Sequence, residues 1–191
     1  MMKIGILGGT FNPIHVGHLI LAKECWDQLK LDKVIFVPAG IPPHKEIEAQ
    51  VSASDRLNMV RLALEGLENF EISTYELDKK SPSYSIDTIK YFRAKCGKAA
   101  KIFFLAGADS IDTLSTWKDF DDILNLVVFV AANRPGWGAV CGKNSKIKHI
   151  KIPDIEVSST MIRKRIKDGD PIDFLVPDKV LKYIRDKGLY G

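Results

Sequence analysis

No apolar run in this chain approaches the roughly twenty residues that a membrane-spanning helix needs, and the sequence opens on the strand-like Ile4-Gly5-Ile6-Leu7 rather than on a signal peptide. A cytoplasmic protein with no membrane partner is therefore expected. Cysteine is sparse: Cys25, Cys96 and Cys141 are odd in number, far apart and without Cys-x-x-Cys spacing. That argues for a reducing compartment and against a disulfide framework or a structural zinc site, so no metal bound by the protein itself is expected. A large excess of one charge is also missing, since 28 Lys plus Arg face 24 Asp plus Glu, spread along the chain with no basic tail. Nucleic acid is not demanded as a partner, and acidic small molecules fit the charge equally well. There is no internal repeat, linker, low-complexity tract or visible Ser-His-Asp arrangement. At 191 residues the chain can bury a sizeable core unaided, and one domain over residues 1–191 is expected.

What is present gathers around Gly5 to His18, Gly-Ile-Leu-Gly-Gly-Thr-Phe-Asn-Pro-Ile-His-Val-Gly-His. A short apolar run bounded by glycines reads as a buried strand. Gly8-Gly9 then frees the backbone to turn sharply or to approach a ligand, ahead of Thr10, Phe11 and the Asn12-Pro13 turn signal. His15 and His18 fall where Leu19, Ala22, Trp26 and Leu29 begin a helical pattern. Both imidazoles thus sit at or near a helix N-terminus, where unbonded N–H groups and the dipole favour an anion. Strand, glycine loop, histidines and helix start together describe a phosphate site, without saying which nucleotide.

The rest of the chain alternates. Strands are expected at Lys33–Pro38, Phe70–Ser73, Lys101–Ala106, Leu126–Ala131 and Ile147–Ile152. A helix capped by Ser54 or Asp55 should carry the apolar stripe Leu57, Val60, Leu64 and Leu67, and another should run through Ile86, Ile89 and Phe92. Ser158 and Ser159 suit the cap of a helix that buries Ile162 and Ile166, leaving Ser159, Thr160 and Arg163 at a start able to hold phosphates. Pro177 opens a last helix through Val180, Leu181 and Ile184, so residues 158–191 form a short helical C-terminal segment. This order predicts an α/β, Rossmann-like doubly wound parallel sheet flanked by helices. In such folds ligands lie past the carboxyl ends of strands. His44 with Lys45, Gly107 with Asp109, and Arg134 all fall there, in loops of which 137–148 is expected to be mobile. On spacing alone, Lys45 is also a solvated lysine, Asp109 also a helix cap and Trp117 also a core plug.

Gly5 to His18 resembles the His-x-Gly-His signature of the nucleotidylyltransferase superfamily, in which two histidines contact the ATP phosphates and stabilise charge as the α-phosphate is attacked. Pro42-Pro43-His44-Lys45, Pro82-Ser83-Tyr84-Ser85-Ile86-Asp87-Thr88, Gly107-Ala108-Asp109, Trp117, Arg134-Pro135-Gly136 and Ser158-Ser159-Thr160-Met161-Ile162-Arg163 resemble its nicotinate-nucleotide adenylyltransferase branch. Ser85 stands where that branch more often has Thr. The resemblance implies adenylyl transfer from ATP to nicotinate mononucleotide, with Mg²⁺ carried by ATP. It implies catalytic roles for His15, His18 and Arg163. It implies ATP contacts from Gly8, Gly9, Thr10, Phe11, His15, His18, Gly107, Asp109, Arg134, Ser159, Thr160 and Arg163, and mononucleotide contacts from Thr10, His44, Lys45, Tyr84, Ser85, Ile86 and Trp117. Two alternatives stay open: a sister adenylyltransferase acting on another phosphate ester such as phosphopantetheine, and a non-catalytic nucleotide-binding regulator. Oligomeric state, a homo-oligomer included, is open as well.

Overall fold

Six parallel strands form one sheet in the order β3-β2-β1-β4-β5-β6, where β1 is Lys3–Gly9, β2 Lys33–Pro38, β3 Phe70–Ile72, β4 Lys101–Ala106, β5 Val128–Asn133 and β6 Ile147–Lys151. The structure is a computed structural model and describes residues 1–42, 51–107, 114–133 and 146–191. His44, Lys45, Asp109, Arg134 and most of the 137–148 loop lie outside the described residues.

Strands buried on both faces send alternate side chains to each side of the sheet. Ile4, Ile6, Ile35, Val37, Ile102 and Phe104 join one apolar cluster, while Leu7, Val34, Phe36, Phe103 and Leu105 join the other. Helices α3 (Ser85–Cys96) and α4 (Phe120–Leu126) cover the first face through Ile86, Ile89, Phe92, Ile123 and Leu124. The second face is covered by α1 (Val16–Leu29), α2 (Ala53–Leu64), α5 (Ser159–Lys167) and α6 (Asp178–Lys187), through residues such as Ala22, Cys25, Met59, Val60, Ile162 and Val180. Each valine, leucine, isoleucine, phenylalanine or methionine among them, removed from water, contributes on the order of 1.5–3 kcal/mol. Burial, assisted by Glu24, pushes the Cys25 thiol up to about 12, so this cysteine is inert core. The C-terminal helix is tied down by polar contacts too: the Tyr183 hydroxyl donates to Asp55 Oδ1 at 2.8 Å, and Val16 N–H donates to the Leu175 carbonyl at 3.0 Å. No helix among the described residues is long and apolar enough to cross a membrane.

Two local expectations are corrected. Helix α2 is capped by Ser52, not Ser54 or Asp55, because Asp55 is the third helical residue: its N–H donates to Ser52 Oγ at 3.0 Å while its carboxylate accepts the Ser52 N–H at 3.2 Å. The buried stripe shifts accordingly to Arg56, Met59, Val60, Ala63 and Leu64, and Leu67 lies beyond the helix, 42% exposed. Leu126 ends α4 rather than opening a strand, and β5 begins at Val128. Gly8 and Gly9 remain in the strand and the turn follows at the expected Asn12-Pro13 signal, while Phe11 takes the left-handed conformation with φ 50°. A left-handed phenylalanine is a strained arrangement, held here because the surroundings over-determine it.

Candidate active site

The winding of the sheet reverses between β1 and β4, which pair in parallel with Leu7 opposite Leu105. A crevice must open at such a reversal, past the carboxyl ends of the two strands. There a cavity of about 480 Å³ is lined by Gly8, Gly9, Thr10 and Phe11 at the end of β1, His15 and His18 at the start of α1, Gly107 after β4, and Ser159, Thr160 and Arg163 at the start of α5. These ten of the expected ATP-contact residues, from three distant parts of the chain, share one cavity.

The two histidines are mutually positioned. His15 is the residue before the first turn of α1 and His18 its third helical position, and their rings stack with centroids 3.7 Å apart. The His15 backbone N–H donates to His18 Nδ1 at 3.2 Å. A nitrogen that accepts this bond cannot carry the proton, so in neutral His18 the proton is on Nε2. Phe11 meets the His18 ring edge-on, centroids 5.0 Å apart. Gly17 explains its own place in the motif: a Cβ there would stand 3.0 Å from His15 Nδ1, leaving no slack for the folded-back ring.

The loop joining β1 to α1 is anchored from outside. Arg56 donates to the Thr10 carbonyl at 2.8 Å, Arg163 to the Asn12 carbonyl at 2.9 Å and the Ser159 hydroxyl to the Pro13 carbonyl at 2.8 Å. The Tyr190 hydroxyl, fully buried, donates to Asn12 Oδ1 at 2.7 Å. At α5 the cap is Ser158, whose Oγ accepts the Met161 N–H at 3.1 Å. The same serine leaves Ser159 and Thr160 as the first helical residues, facing the cavity.

Tyr84, Ser85, Ile86 and Trp117 do not line this cavity: the start of α3 docks on the chain leaving β2, and Trp117 lies against β4 and β5. Tyr84 precedes α3 without capping it by side chain, and Ile86 is 1% exposed, so its backbone N–H rather than its side chain is what it can present. Ser83 Oγ accepts the Gly40 N–H at 2.9 Å, docking the α3 start against the chain leaving β2. Gly40 has to be glycine, because a Cβ would lie 2.2 Å from the Glu76 carbonyl oxygen. Glu76 is itself buried and accepts the Thr88 hydroxyl at 2.5 Å. Burial holds its carboxyl above the usual range, with the Thr88 and Ser83 hydroxyls opposing that shift. Trp117 packs edge-on against Phe104 and Phe129, centroids 5.8 and 5.9 Å away.

The model described as cytidylyltransferase-like matches residues 6–165 of this chain. The nicotinate-nucleotide adenylyltransferase of Bacillus subtilis (strain 168) is 40% identical over 190 residues, covering 100% of this chain and 99% of that protein. The chain belongs to the nicotinate-nucleotide adenylyltransferase family. A relative from Halalkalibacterium halodurans, named probable nicotinate-nucleotide adenylyltransferase, is 44% identical over 191 residues, 100% of this chain and 92% of its own. In fold, the chain superposes with TM-score 0.82 on the Plasmodium falciparum nicotinic acid mononucleotide adenylyltransferase complexed with NaAD, at 20% identity over 100% of this chain and 98% of that one. That likeness carries the architecture alone.

Within this nicotinate-nucleotide adenylyltransferase scaffold, sequence reading missed several residues. Ile152, Ile155 and Val157 add apolar surface to the cavity, together with Ile20 and Leu21. No sequence signal marked them, because the stretch before α5 has no periodicity. Lys118 brings its ammonium 4.7 Å from the centre of the Tyr84 ring, a cation at an α3 start whose own segment, Ser81 to Asp87, has none. Arg56 and Tyr190 were also missed, the first because a charged residue on a helix reads as a solvated face.

Proposed function

We propose that this protein transfers the adenylyl group of ATP to the phosphate of nicotinate mononucleotide, giving nicotinate adenine dinucleotide and pyrophosphate. One observation carries the reading: His15 and His18, stacked at the α1 start, share a single cavity with the α5 start at Ser159, Thr160 and Arg163. Two helix starts and five cationic or hydrogen-donating side chains converging on one space suit a polyphosphate rather than a single anion. The family membership, with relatives 40–44% identical over the whole chain, supports the same substrates. It does not favour a phosphopantetheine-type sister enzyme or a regulator without activity.

The attacking group is a phosphate oxygen, already ionised at neutral pH, so positioning and charge neutralisation supply the rate without a general base or covalent intermediate. His15 and His18 neutralise the attacked α-phosphate, His18 donating from Nε2; Ser159, Thr160 and Arg163 hold the leaving pyrophosphate. The wall of Ile152, Ile155 and Val157 suits the flat apolar face of adenine. Mg²⁺ enters as part of the nucleotide substrate. Among the described residues the cavity wall offers no carboxylate, a lining that fits an ion held by phosphate oxygens and its own waters.

For the mononucleotide we assign the α3 start, with the Ser85 and Ile86 N–H groups reading the nicotinate carboxylate, Tyr84 and Lys118 beside them and Trp117 against the ring. His44 and Lys45 complete this end, and Asp109 and Arg134 the ATP end, by resemblance. We further assign the chain to one nucleotidylyltransferase domain in the cytoplasm. Its C-terminal segment is an integral part of that domain, a reading supported by the Tyr190 to Asn12 bond.

The test is pyrophosphate release with ATP and Mg²⁺ against nicotinate mononucleotide, its nicotinamide counterpart and phosphopantetheine. Turnover with the nicotinate compound and a kcat/KM several-fold lower for the amide are expected. Equal ratios for the two mononucleotides overturn the α3 assignment; turnover only with phosphopantetheine overturns the function.

A further inference from the structure

Arg56, 1% exposed, is the bulkiest fully buried side chain among the described residues. A guanidinium does not give up its proton in a protein, so a cation stands inside the core. Buried charges are ordinarily paired with an opposite one. Arg56 is not: its hydrogen-bond acceptors are two neutral carbonyls, Thr10 at 2.8 Å and Gly40 at 3.3 Å, and its Nε is buried without an acceptor. Burial lowers the pKa of this guanidinium, and the Tyr190 phenol opposes that shift. No carboxylate among the described residues pairs with it.

Where the charge sits gives it a use. Thr10 lines the phosphate cavity, and Gly40 receives the α3 start through Ser83. Arg56 therefore stands directly behind the backbone that separates the two substrate ends, and one side chain grips both. A fixed positive charge in a low-dielectric wall projects its potential into the adjoining cavity instead of being screened by water.

We propose that Arg56 is a positioning residue whose charge is compensated by the phosphates of the bound substrates rather than by the protein, and whose two-pronged hold aligns the Thr10 and Gly40 backbones that flank them. This rests on reading the cavity as a phosphate site. Two full-length variants separate the two roles: Arg56→Gln keeps donors and loses charge, and Arg56→Lys keeps charge and loses the fork. Inorganic pyrophosphate is titrated into each by calorimetry, and kcat and KM are measured with MgATP and nicotinate mononucleotide.

Arg56→Gln should weaken pyrophosphate and raise the KM for ATP by about 10- to 30-fold, the size of one unit-charge interaction across a thin wall at intermediate dielectric. Arg56→Lys should regain most of the pyrophosphate affinity but leave kcat depressed by about tenfold or more, because alignment needs both prongs. Wild-type pyrophosphate affinity in Arg56→Gln overturns the proposal. So does an equal loss of thermal stability in both variants with kcat and KM unchanged in the folded protein. Should neither variant fold, the guanidinium ¹⁵N resonances of Arg56 in the wild type decide: they should shift as pyrophosphate saturates the site, and constant resonances overturn the proposal. A wild type that binds pyrophosphate yet makes no dinucleotide refutes the substrate assignment while leaving the calorimetric comparison of variants intact.

Discussion

Between β1 and α1 the carbonyls of Thr10, Asn12 and Pro13 each accept a hydrogen bond from a side chain far along the chain, Arg56, Arg163 and Ser159. The start of α3 is held differently, by Ser83 to the Gly40 backbone and by Glu76 to Thr88, within a span of about fifty residues. In the proposed reaction the first arrangement immobilises donors around the place where charge would develop, and there a displaced donor should cost rate. In the proposed mononucleotide site the second supports groups that would contact the ring and carboxylate equally before and during reaction, and there a loss should cost binding. Substitutions at the two ends should therefore separate into effects on kcat and effects on KM.

The largest break in that contrast is expected from His18→Ala. It should lower kcat by roughly 10²- to 10³-fold with the fold intact, since it removes one donor aimed at the transition state. Circular dichroism and single-turnover rates check this, and turnover within about threefold of wild type would remove His18 from the chemistry. His15→Ala belongs to the same class. Arg163→Ala comes next, at about 10- to 150-fold in kcat/KM for ATP, as for a lost hydrogen bond to a charged group. Arg163→Lys should restore only part, because its point charge cannot both hold the Asn12 carbonyl and fork onto a phosphate. Full restoration by lysine would mean that net charge alone matters.

At the α3 end, Trp117→Ala should weaken nicotinate mononucleotide by about 5- to 150-fold, the range for an aromatic stacked on a base, and leave ATP affinity near wild type. Because the indole also packs on Phe104 and Phe129, the melting temperature should fall as well. Equal losses for both substrates would make Trp117 core and nothing more.

The smallest effect concerns pH. Burial raises the Glu76 carboxyl in the folded state, so the fold binds this proton more tightly than the unfolded chain does. Stability from Glu76 is then complete below its unfolded value, about 4.3, and is lost as pH rises through the folded one. Glu76→Gln cannot ionise, and its melting temperature should gain on the wild type between pH 4.5 and 8 by a few degrees. A difference that does not change with pH would show that Glu76 titrates alike in both states.

Much of this could be read from local pattern. The histidines, the glycines before them and the Ser159 to Arg163 helix start are contiguous words whose chemistry needs only neighbouring residues. Apolar runs such as Lys33–Pro38 and Lys101–Ala106 likewise declare buried parallel strands, because a strand covered on both faces has no polar side to show. The turn falls at the Asn12-Pro13 signal, but Phe11 rather than a glycine takes the left-handed conformation. A glycine permits a turn without requiring one.

By itself the sequence determined the alternation of strands and helices, and with it the sheet and the end of the strands at which the proposed phosphate site lies, because each of those follows from burial and capping within a few residues. Only the tertiary structure decided that Arg56, 46 residues from Thr10, is an unpaired core cation, and that Tyr190, 178 residues from Asn12, closes the same loop. It also decided that Lys118 stands beside Tyr84 and that Ser52 caps α2. A side chain's partners across the sheet depend on how every intervening element packs, and periodicity along the chain carries no record of that sum.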